Sequence, residues 1–305
     1  MYRTFVILRH TFLEAIAQPI YSLLLLVGAG ILLVFSLLPF FTLGEDIYMF
    51  KSVGLDVVLL LVLIATLFAT SKSIFEEIED RTMLTLMSKP VKKWEVLLGK
   101  YLGLALSAGM AVAILGIVLI LFTWIRIPRD YMWNANTLDD FELKRIHDTR
   151  VMHIAGLVPS LILTWLQVSV LAAVSVAIST RVSLVVNLPV VIIIYLAGNL
   201  TRFLFPLAKG SGGALAESSV VTKGFAYLLG TLVPFLGNFD LRQKTVYSKI
   251  AIAGTGYAQD INAIGLGEIW SNTAASALYA VCYAAFALSL GMLLFHTREL
   301  GGGEG

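Results

Sequence analysis

Residues 75–100 read FEEIEDRTMLTLMSKPVKKWEVLLGK, a highly charged stretch between two long apolar runs. The runs on either side, 53–70 and 101–125, are each long enough to cross a hydrocarbon core of about 30 Å as a helix. Charged side chains are costly inside lipid, so this stretch is not expected to enter the bilayer. We predict that it lies at a membrane surface, as a short polar connection between two spans.

The composition is that of a membrane protein with several spans. Of the 305 residues, 58% are hydrophobic and 14% are charged, whereas soluble domains carry about 25% charged residues. The net charge of +2 gives no basic footprint, so no nucleic-acid partner is predicted. The single cysteine, Cys282, lies in an apolar run and is expected to be a small buried hydrophobic residue.

Six apolar segments predict an all-α integral membrane protein that forms one domain over residues 1–305. The predicted transmembrane helices are about 20–43, 53–73, 97–125, 152–180, 184–205 and 271–296. Segments 44–51, 126–150 and 206–270 are predicted as non-spanning connections. Within the last of these, 225–236 is apolar but too short to cross a bilayer, so we predict a re-entrant or interfacial segment there.

Residues 1–18 are predicted to form an amphipathic helix along the membrane surface, ended by Pro19. Phe5, Leu8, Phe12 and Ile16 fall on one face of this helix. Six spans place both termini on the same side as the charged stretch. Lysine and arginine are denser on that side, so we expect it to be cytoplasmic.

Within the charged stretch, residues 82–87 are predicted to form a short helix with apolar side chains exposed. Pro90 breaks this helix and suits the first turn of the next one, which Trp94 anchors at the interface. A short amphipathic helix held between two spans is suited to a groove on a soluble partner. The alternative is an ordinary polar loop.

The residues of this stretch resemble a known pattern. They are Glu79-Asp80-Arg81-Thr82, then Leu86, Ser88-Lys89-Pro90-Val91, Trp94-Glu95 and Leu98-Gly99-Lys100. This run resembles the first cytoplasmic loop of the ABC-2 type permeases. It departs from them mildly at Arg81, where glycine is common, and at Lys93, where arginine is common.

The resemblance implies the transmembrane subunit of an ATP-binding-cassette transporter in the plasma (inner) membrane. It favours an exporter and does not identify the cargo. In that family the loop, here 75–96, holds a coupling helix that docks on a separate ATPase, which binds ATP and magnesium. The working unit is two permease chains, identical or different, with two ATPases. We expect coupling to depend on Glu79, Arg81, Thr82, Met83, Leu86, Met87, Pro90 and Trp94.

The energy source is expected to lie outside this chain, because the sequence contains no GxxxxGK[ST] phosphate loop. Ion-driven carriers usually keep ionisable groups in mid-membrane. Here Asp56 and Arg202 lie near span ends, where snorkelling to the interface or interfacial pairing is the preferred interpretation. Gln167 and Asn187 are candidates for a translocation path, with hydrogen bonding between helices as the alternative.

Two further functions stay open at this point. The chain is also compatible with a non-transporting membrane partner that acts on an envelope protein through 206–270. An ion-coupled carrier is the third possibility and would require Asp56. His147 and His153 lie six positions apart with Asp148 nearby, but a metal site needs further ligands that the sequence does not place, so none is predicted.

Overall fold

Long helices make up nearly all of the described chain. The computed structural model describes residues 2–38, 46–79, 92–131, 140–208 and 233–296. The helices are α1 (Tyr2–Ala17), α2 (Pro19–Leu37), α3 (Asp46–Ser71), α4 (Glu77–Glu79), α5 (Lys93–Tyr131), α6 (Asp140–Ser179), α7 (Leu184–Ala208), α8 (Arg242–Thr245) and α9 (Leu266–His296).

Three short elements complete the description. A π-helical turn, Lys72–Glu76, joins α3 to α4, and a 3-10 turn, Leu236–Phe239, precedes α8. Between α8 and α9, the two-residue strands β1 (Ile250–Ala251) and β2 (Ile264–Gly265) pair in parallel. Apart from this one small ladder, the regular secondary structure of the described residues is therefore helical.

Five helical stretches are long and apolar enough to cross a membrane. They are Pro19–Leu37, Asp46–Glu79, Lys93–Ile127, Asp140–Ser179 and Leu266–Phe295. Helix α7 has 25 residues, of which Leu184–Leu200 form a shorter apolar helix. The prediction of an all-α membrane protein is confirmed, and the sixth span stays a prediction.

The helices extend further into polar sequence than predicted. Helix α3 begins at Asp46, so most of the predicted connection 44–51 is helical. Helix α5 continues to Tyr131 and α6 begins at Asp140, so the predicted loop 126–150 is largely helical too. The helices are longer than predicted because hydropathy marks where apolar sequence ends, whereas backbone hydrogen bonding continues beyond it. That both connections lie outside the membrane stays a prediction.

Helix α6 lies at the centre of the bundle and packs against α3, α5, α7 and α9. Val168, Val170 and Leu171 are fully buried in its middle. A helix that is apolar around its whole circumference is typical of such a central position. The main core cluster is built around it by residues from α2, α3, α5, α7, α9 and the segment before β1.

Helix α1 ends before Pro19, as predicted, and packs against the start of α5 through glycines. A Cβ atom at Gly103 would lie 2.7 Å from the main-chain oxygen of Leu8, so only glycine permits this close approach. The buried side chains of α1 are small, whereas Phe5 and Leu13 are exposed. Exposed apolar side chains agree with a surface helix, although its position relative to the membrane stays a prediction.

Residues 233–246, here called the inserted segment, pack into the bundle beside α6 and α7. Leu236 and Val246 are fully buried. Glycines make room for the segment: a Cβ atom at Gly156 would overlap the carbonyl oxygen of Thr245, and one at Gly198 would lie 2.6 Å from that of Pro234. Of the predicted re-entrant stretch 225–236, residues 225–232 lie outside the described chain.

The expectation for Cys282 was wrong, because its side chain is exposed on α9. An apolar run in a membrane helix need not face the protein interior, since lipid and other chains offer an equally apolar surrounding. Composition alone therefore does not distinguish the two faces of α9.

Candidate functional site

The base of the predicted coupling loop is fastened by a buried lysine. Lys100 on α5 is 3% exposed, and its Nζ lies 2.7 Å from the Glu77 carboxylate. The same Nζ donates to the main-chain oxygen of Ser73 and lies 3.1 Å from the Ser73 hydroxyl. A buried ammonium group is stable only when paired, so this clamp fixes the end of α3 to the start of α5.

The two described coupling candidates lie on either side of the loop. Glu79 ends α4 and Trp94 lies in the first turn of α5. Both are exposed, Trp94 by 46%. Behind them, Ile74 and Ile78 are buried in a second core cluster, which gives the loop a packed base. The remaining candidates lie outside the described residues: Arg81, Thr82, Met83, Leu86, Met87 and Pro90.

Asn187, one of the two predicted path residues, lies in a buried hydroxyl cluster. Its Nδ2 lies 2.8 Å from the hydroxyl of Ser175, 3.0 Å from that of Ser179 and 3.2 Å from that of Ser71. These contacts join α3, α6 and α7 at the end of the bundle nearest the charged stretch. Asn187 is fully buried and does not line the cavity described next.

A polar cavity of about 320 Å³ lies between α3, α6, α7 and the inserted segment. Gln167, the other predicted path residue, lies on its wall. Apolar lining comes from leucines of all three helices. The charged and polar side chains that line it besides Gln167 include Asp56, Tyr195, Asn199, Asp240 and Arg242.

A bidentate ion pair crosses this cavity from the inserted segment to α3. The two terminal nitrogens of Arg242 donate to the two oxygens of Asp56 at 2.8 and 2.6 Å, and Asp240 lies 3.7 Å from Arg242 Nε. Burial disfavours the charged guanidinium, but the hydrogen bonds and charge of Asp56, with the charge of Asp240, outweigh burial. The pKa of Arg242 is therefore raised above its ordinary value.

The sequence favoured snorkelling or interfacial pairing for Asp56, and of these the structure shows pairing, with Arg242. Its partner was not predicted, since Arg242 lies 186 positions away. The side chain of Arg202, the other ionisable residue near a span end, lies outside the described residues.

A second buried cation, missed by sequence reasoning, lies next to the inserted segment. Lys51 is 1% exposed. Its Nζ lies 2.8 Å from His153 Nδ1 and donates to the main-chain oxygen of Val246 at 3.0 Å. The prediction had placed Lys51 at the end of a short connection between two spans. Among the described residues, no group of three or more His, Cys, Asp and Glu could hold a metal ion.

The arrangement is that of a helical membrane transporter subunit, with a fastened polar loop at one end and a polar cavity towards the other. A family model described as "ABC-2 family transporter protein" matches residues 49–300. The chain therefore belongs to the ABC-2 transporter family and is a transmembrane subunit of an ABC transporter. A search of curated proteins returned no match.

The matched region contains the charged stretch, the inserted segment and the whole cavity lining. Members of this family are membrane subunits that are generally non-catalytic, and the family implies an ABC ATPase partner and a dimeric permease in general. The resemblance seen in the charged stretch is thus confirmed at the level of the family.

Proposed function

We propose that this chain is the permease subunit of an ABC exporter, driven by a separate ATPase that docks on the loop 75–96. The observation that carries the proposal is the clamp of Lys100 on Glu77 and Ser73. A loop that receives force from a partner needs a stiff attachment, and this clamp joins the two helices that the loop connects. Glu79 and Trp94 are exposed beside it, where a partner can reach them.

The proposed mechanism is mechanical. The partner ATPase binds ATP and magnesium, and its closure moves the coupling loop as a rigid body. The clamp passes this movement to α3 and α5, which both pack against the central helix α6. Helix α3 and its extension carry the movement from Glu79 to Asp56, a length of about 35 Å at the α-helical rise.

In this proposal the termini and the loop are cytoplasmic, and the cavity belongs to the opposite half of the bundle. Two permease chains work with two ATPases in the plasma (inner) membrane. Export is favoured because the cavity lies far from the loop along α3. A substrate held there needs only a rearrangement of the inserted segment for release on the far side.

The docking claim is tested by co-purification of the native chain with its ABC ATPase. We expect Trp94→Ala combined with Leu86→Asp to reduce the amount of bound ATPase by about tenfold, since truncating a contact residue and burying a charge both weaken an interface. Trp270→Ala is the matched control, because Trp270 is 44% exposed on α9 against 46% for Trp94. Undiminished ATPase binding by the double variant would overturn the claim.

Transport is tested with the reconstituted complex in vesicles. An exporter shows ATPase activity that rises with substrate and substrate movement that requires ATP. Movement without ATP would instead support an ion-coupled carrier, and crosslinking of 233–265 to an envelope protein without any transport would support a mechanical role.

A further inference from the structure

We propose that an apolar groove between α5 and α6 holds one phospholipid, with an acyl chain along the groove and the phosphate against the guanidinium group of Arg150. The groove has a volume of about 420 Å³, and its lining residues Ile117 and Val158 are exposed. Both helices are long and apolar enough to cross a membrane, so the groove faces hydrocarbon. The proposal goes beyond the proposed function, because lipid binding requires neither ATP nor the ATPase.

The lining of the groove suits an acyl chain. Aliphatic residues and glycines form it together with Trp165. The only polar side-chain atom among the lining residues, Trp165 Nε1, already donates to the main-chain oxygen of Ala105 at 2.8 Å. Along α5 the lining runs from Gly109 to Ile120, a rise of about 17 Å, which is close to half of a hydrocarbon core about 30 Å thick. The groove therefore has the length of the acyl layer of one leaflet.

The small residues of α5 beside the groove are already used within the chain. A Cβ atom at Gly109 would lie 2.9 Å from Trp165 Nε1, and one at Gly116 would lie 2.7 Å from Leu161 Cδ1. Small residues in a membrane helix let a neighbouring helix approach closely, and here that neighbour is α6. These glycines therefore do not require a helix from a second copy, and lipid is the occupant that the surrounding membrane supplies.

A cation lies beyond the end of the groove that is further from the charged stretch. The lining ends at Ile120 on α5 and at Val158 on α6. Trp124 follows Ile120 by one turn, on the same face of α5, and its ring centroid lies 4.7 Å from the guanidinium carbon of Arg150. Tryptophan is enriched where a membrane meets water, so this contact places Arg150 at the depth of lipid headgroups.

Arg150 lacks an anion of its own. Its Nε is buried and has no hydrogen-bond acceptor among the described residues. The positions one turn away on α6 carry no carboxylate, since they are Ile146, His147, His153 and Ile154. A buried donor without an acceptor is costly, and the guanidinium fork matches a phosphate group bidentately. A phospholipid supplies this phosphate at headgroup depth and the acyl chain for the groove beside it.

The test is native mass spectrometry of the full chain, stripped of lipid in detergent and titrated with one of two probes. The probes are dioleoyl phosphatidylglycerol and dioleoylglycerol, which have the same acyl chains but differ in the phosphate. We expect saturable binding of one phosphatidylglycerol molecule per chain. Dioleoylglycerol is expected to bind at least about tenfold more weakly, because it lacks the anion for Arg150.

Charge variants test the headgroup contact. Arg150→Gln is expected to weaken phosphatidylglycerol binding by about tenfold and to change dioleoylglycerol binding by less than about threefold. Arg150→Lys keeps the charge but loses the bidentate geometry, so we expect a loss of about threefold. Lys144→Gln is the matched control, because Lys144 is an exposed cation on the same helix, and it should leave both affinities unchanged.

A filled groove tests the acyl-chain contact. Ala113 lines the groove and is exposed, so Ala113→Trp occupies the space without entering the core. We expect it to weaken the binding of both lipids by about tenfold, since two groups cannot share one close-packed space. Ile114→Trp is the matched control, because Ile114 is an exposed neighbour on α5 that does not line the groove.

Four results would overturn the inference. They are phosphatidylglycerol binding no tighter than dioleoylglycerol, an Arg150→Gln variant that binds like the native chain, phosphatidylglycerol binding unaffected by Ala113→Trp, and a dimer of the chain that Ala113→Trp dissociates while lipid binding is unchanged. The last of these would make the groove a contact between two copies. None of them bears on ATPase docking or on ATP-dependent transport, so this inference and the proposed function fail separately.

Discussion

Helix α3 and its extension through α4 carry two ion pairs, one towards each end, and the two pairs differ in their surroundings. Near the charged stretch, Lys100 pairs with Glu77, and their side chains are 4% and 25% exposed. At the cavity, Arg242 pairs with Asp56, and their side chains are 24% and 48% exposed. The Lys100–Glu77 pair lies in a packed contact between α4 and α5, whereas the Asp56–Arg242 pair lines the cavity.

This difference in exposure suits the two ion pairs to different roles. A buried charge left without its partner is strongly unfavourable, so a buried pair resists separation. A partly exposed pair loses less when its more exposed partner, here Asp56, turns to water or to a ligand. The Lys100 clamp is therefore suited to passing on force, and the Asp56–Arg242 pair is suited to exchanging partners. The packing around the cavity, rather than its ion pair, has to hold the inserted segment in place.

The largest expected loss of stability is at the contact between α6 and the inserted segment. Gly156→Ala places a methyl group over the carbonyl oxygen of Thr245, and neither backbone can yield without moving the inserted segment. We expect a loss of about 3 kcal/mol in stability, from overpacking at a rigid contact. The measurement is the thermal unfolding midpoint of the purified chain in detergent. Gly30→Ala is the control, since a Cβ atom there meets nothing within 4 Å, and equal midpoints for the two variants would contradict the close contact.

The next largest loss of stability is expected at the Lys100 clamp. Lys100→Met keeps the length of the side chain but leaves the Ser73 carbonyl and the Glu77 carboxylate without their cation. We expect a loss of about 2 kcal/mol, typical of hydrogen bonds to a charged group. The same thermal measurement compares this variant with Lys92→Met, which changes an exposed lysine. If Lys92→Met lowers the unfolding midpoint as much as Lys100→Met, the clamp does not stabilise the chain more than an exposed lysine does.

The sequence predicted more of the structure at the end of α3 near the charged stretch than at the end near the cavity. The charged stretch and its flanking spans are contiguous in the chain, so hydropathy and residue pattern predicted them and the family together. The cavity depends on Arg242 meeting Asp56 across 186 positions, and no local pattern encodes that pairing. Gln167 was found only because a polar side chain in an apolar run is conspicuous.

Lys51 shows most directly why the remainder could not be predicted. Hydropathy assigns a lysine to water, and the nearby polar sequence was interpreted as a short connection between two spans. Its partners, His153 and Val246, lie 102 and 195 positions away. A buried lysine becomes acceptable only once such partners are known, and they follow from the placement of the inserted segment in the folded bundle.

A smaller effect separates the two predicted path residues. Asn187→Ala removes the centre of the hydroxyl cluster at the loop end, and we expect a loss of about 1 kcal/mol, as for other hydrogen bonds between membrane helices. Ser289→Ala, which removes one hydroxyl bond on an exposed helix surface, should leave the unfolding midpoint nearly unchanged. A normal midpoint combined with lost transport would place Asn187 on the path instead.

The smallest effect is expected at a third pair, Lys249 and Asp260, 2.8 Å apart at the protein surface. The hydrogen bond and charge of Asp260 raise the pKa of Lys249, and the bond from Lys249 lowers the pKa of Asp260. The stability from Asp260 is present above its unfolded pKa of about 3.9 and disappears as the pH falls through the lowered folded value. The stability from Lys249 is present below about 10.4 and disappears as the pH rises through the raised folded value.

The unfolding midpoints of the native chain and Asp260→Asn should therefore differ slightly at neutral pH and converge at both extremes and in high salt. A difference as large as that of Lys100→Met would show that burial does not set the strength of these pairs.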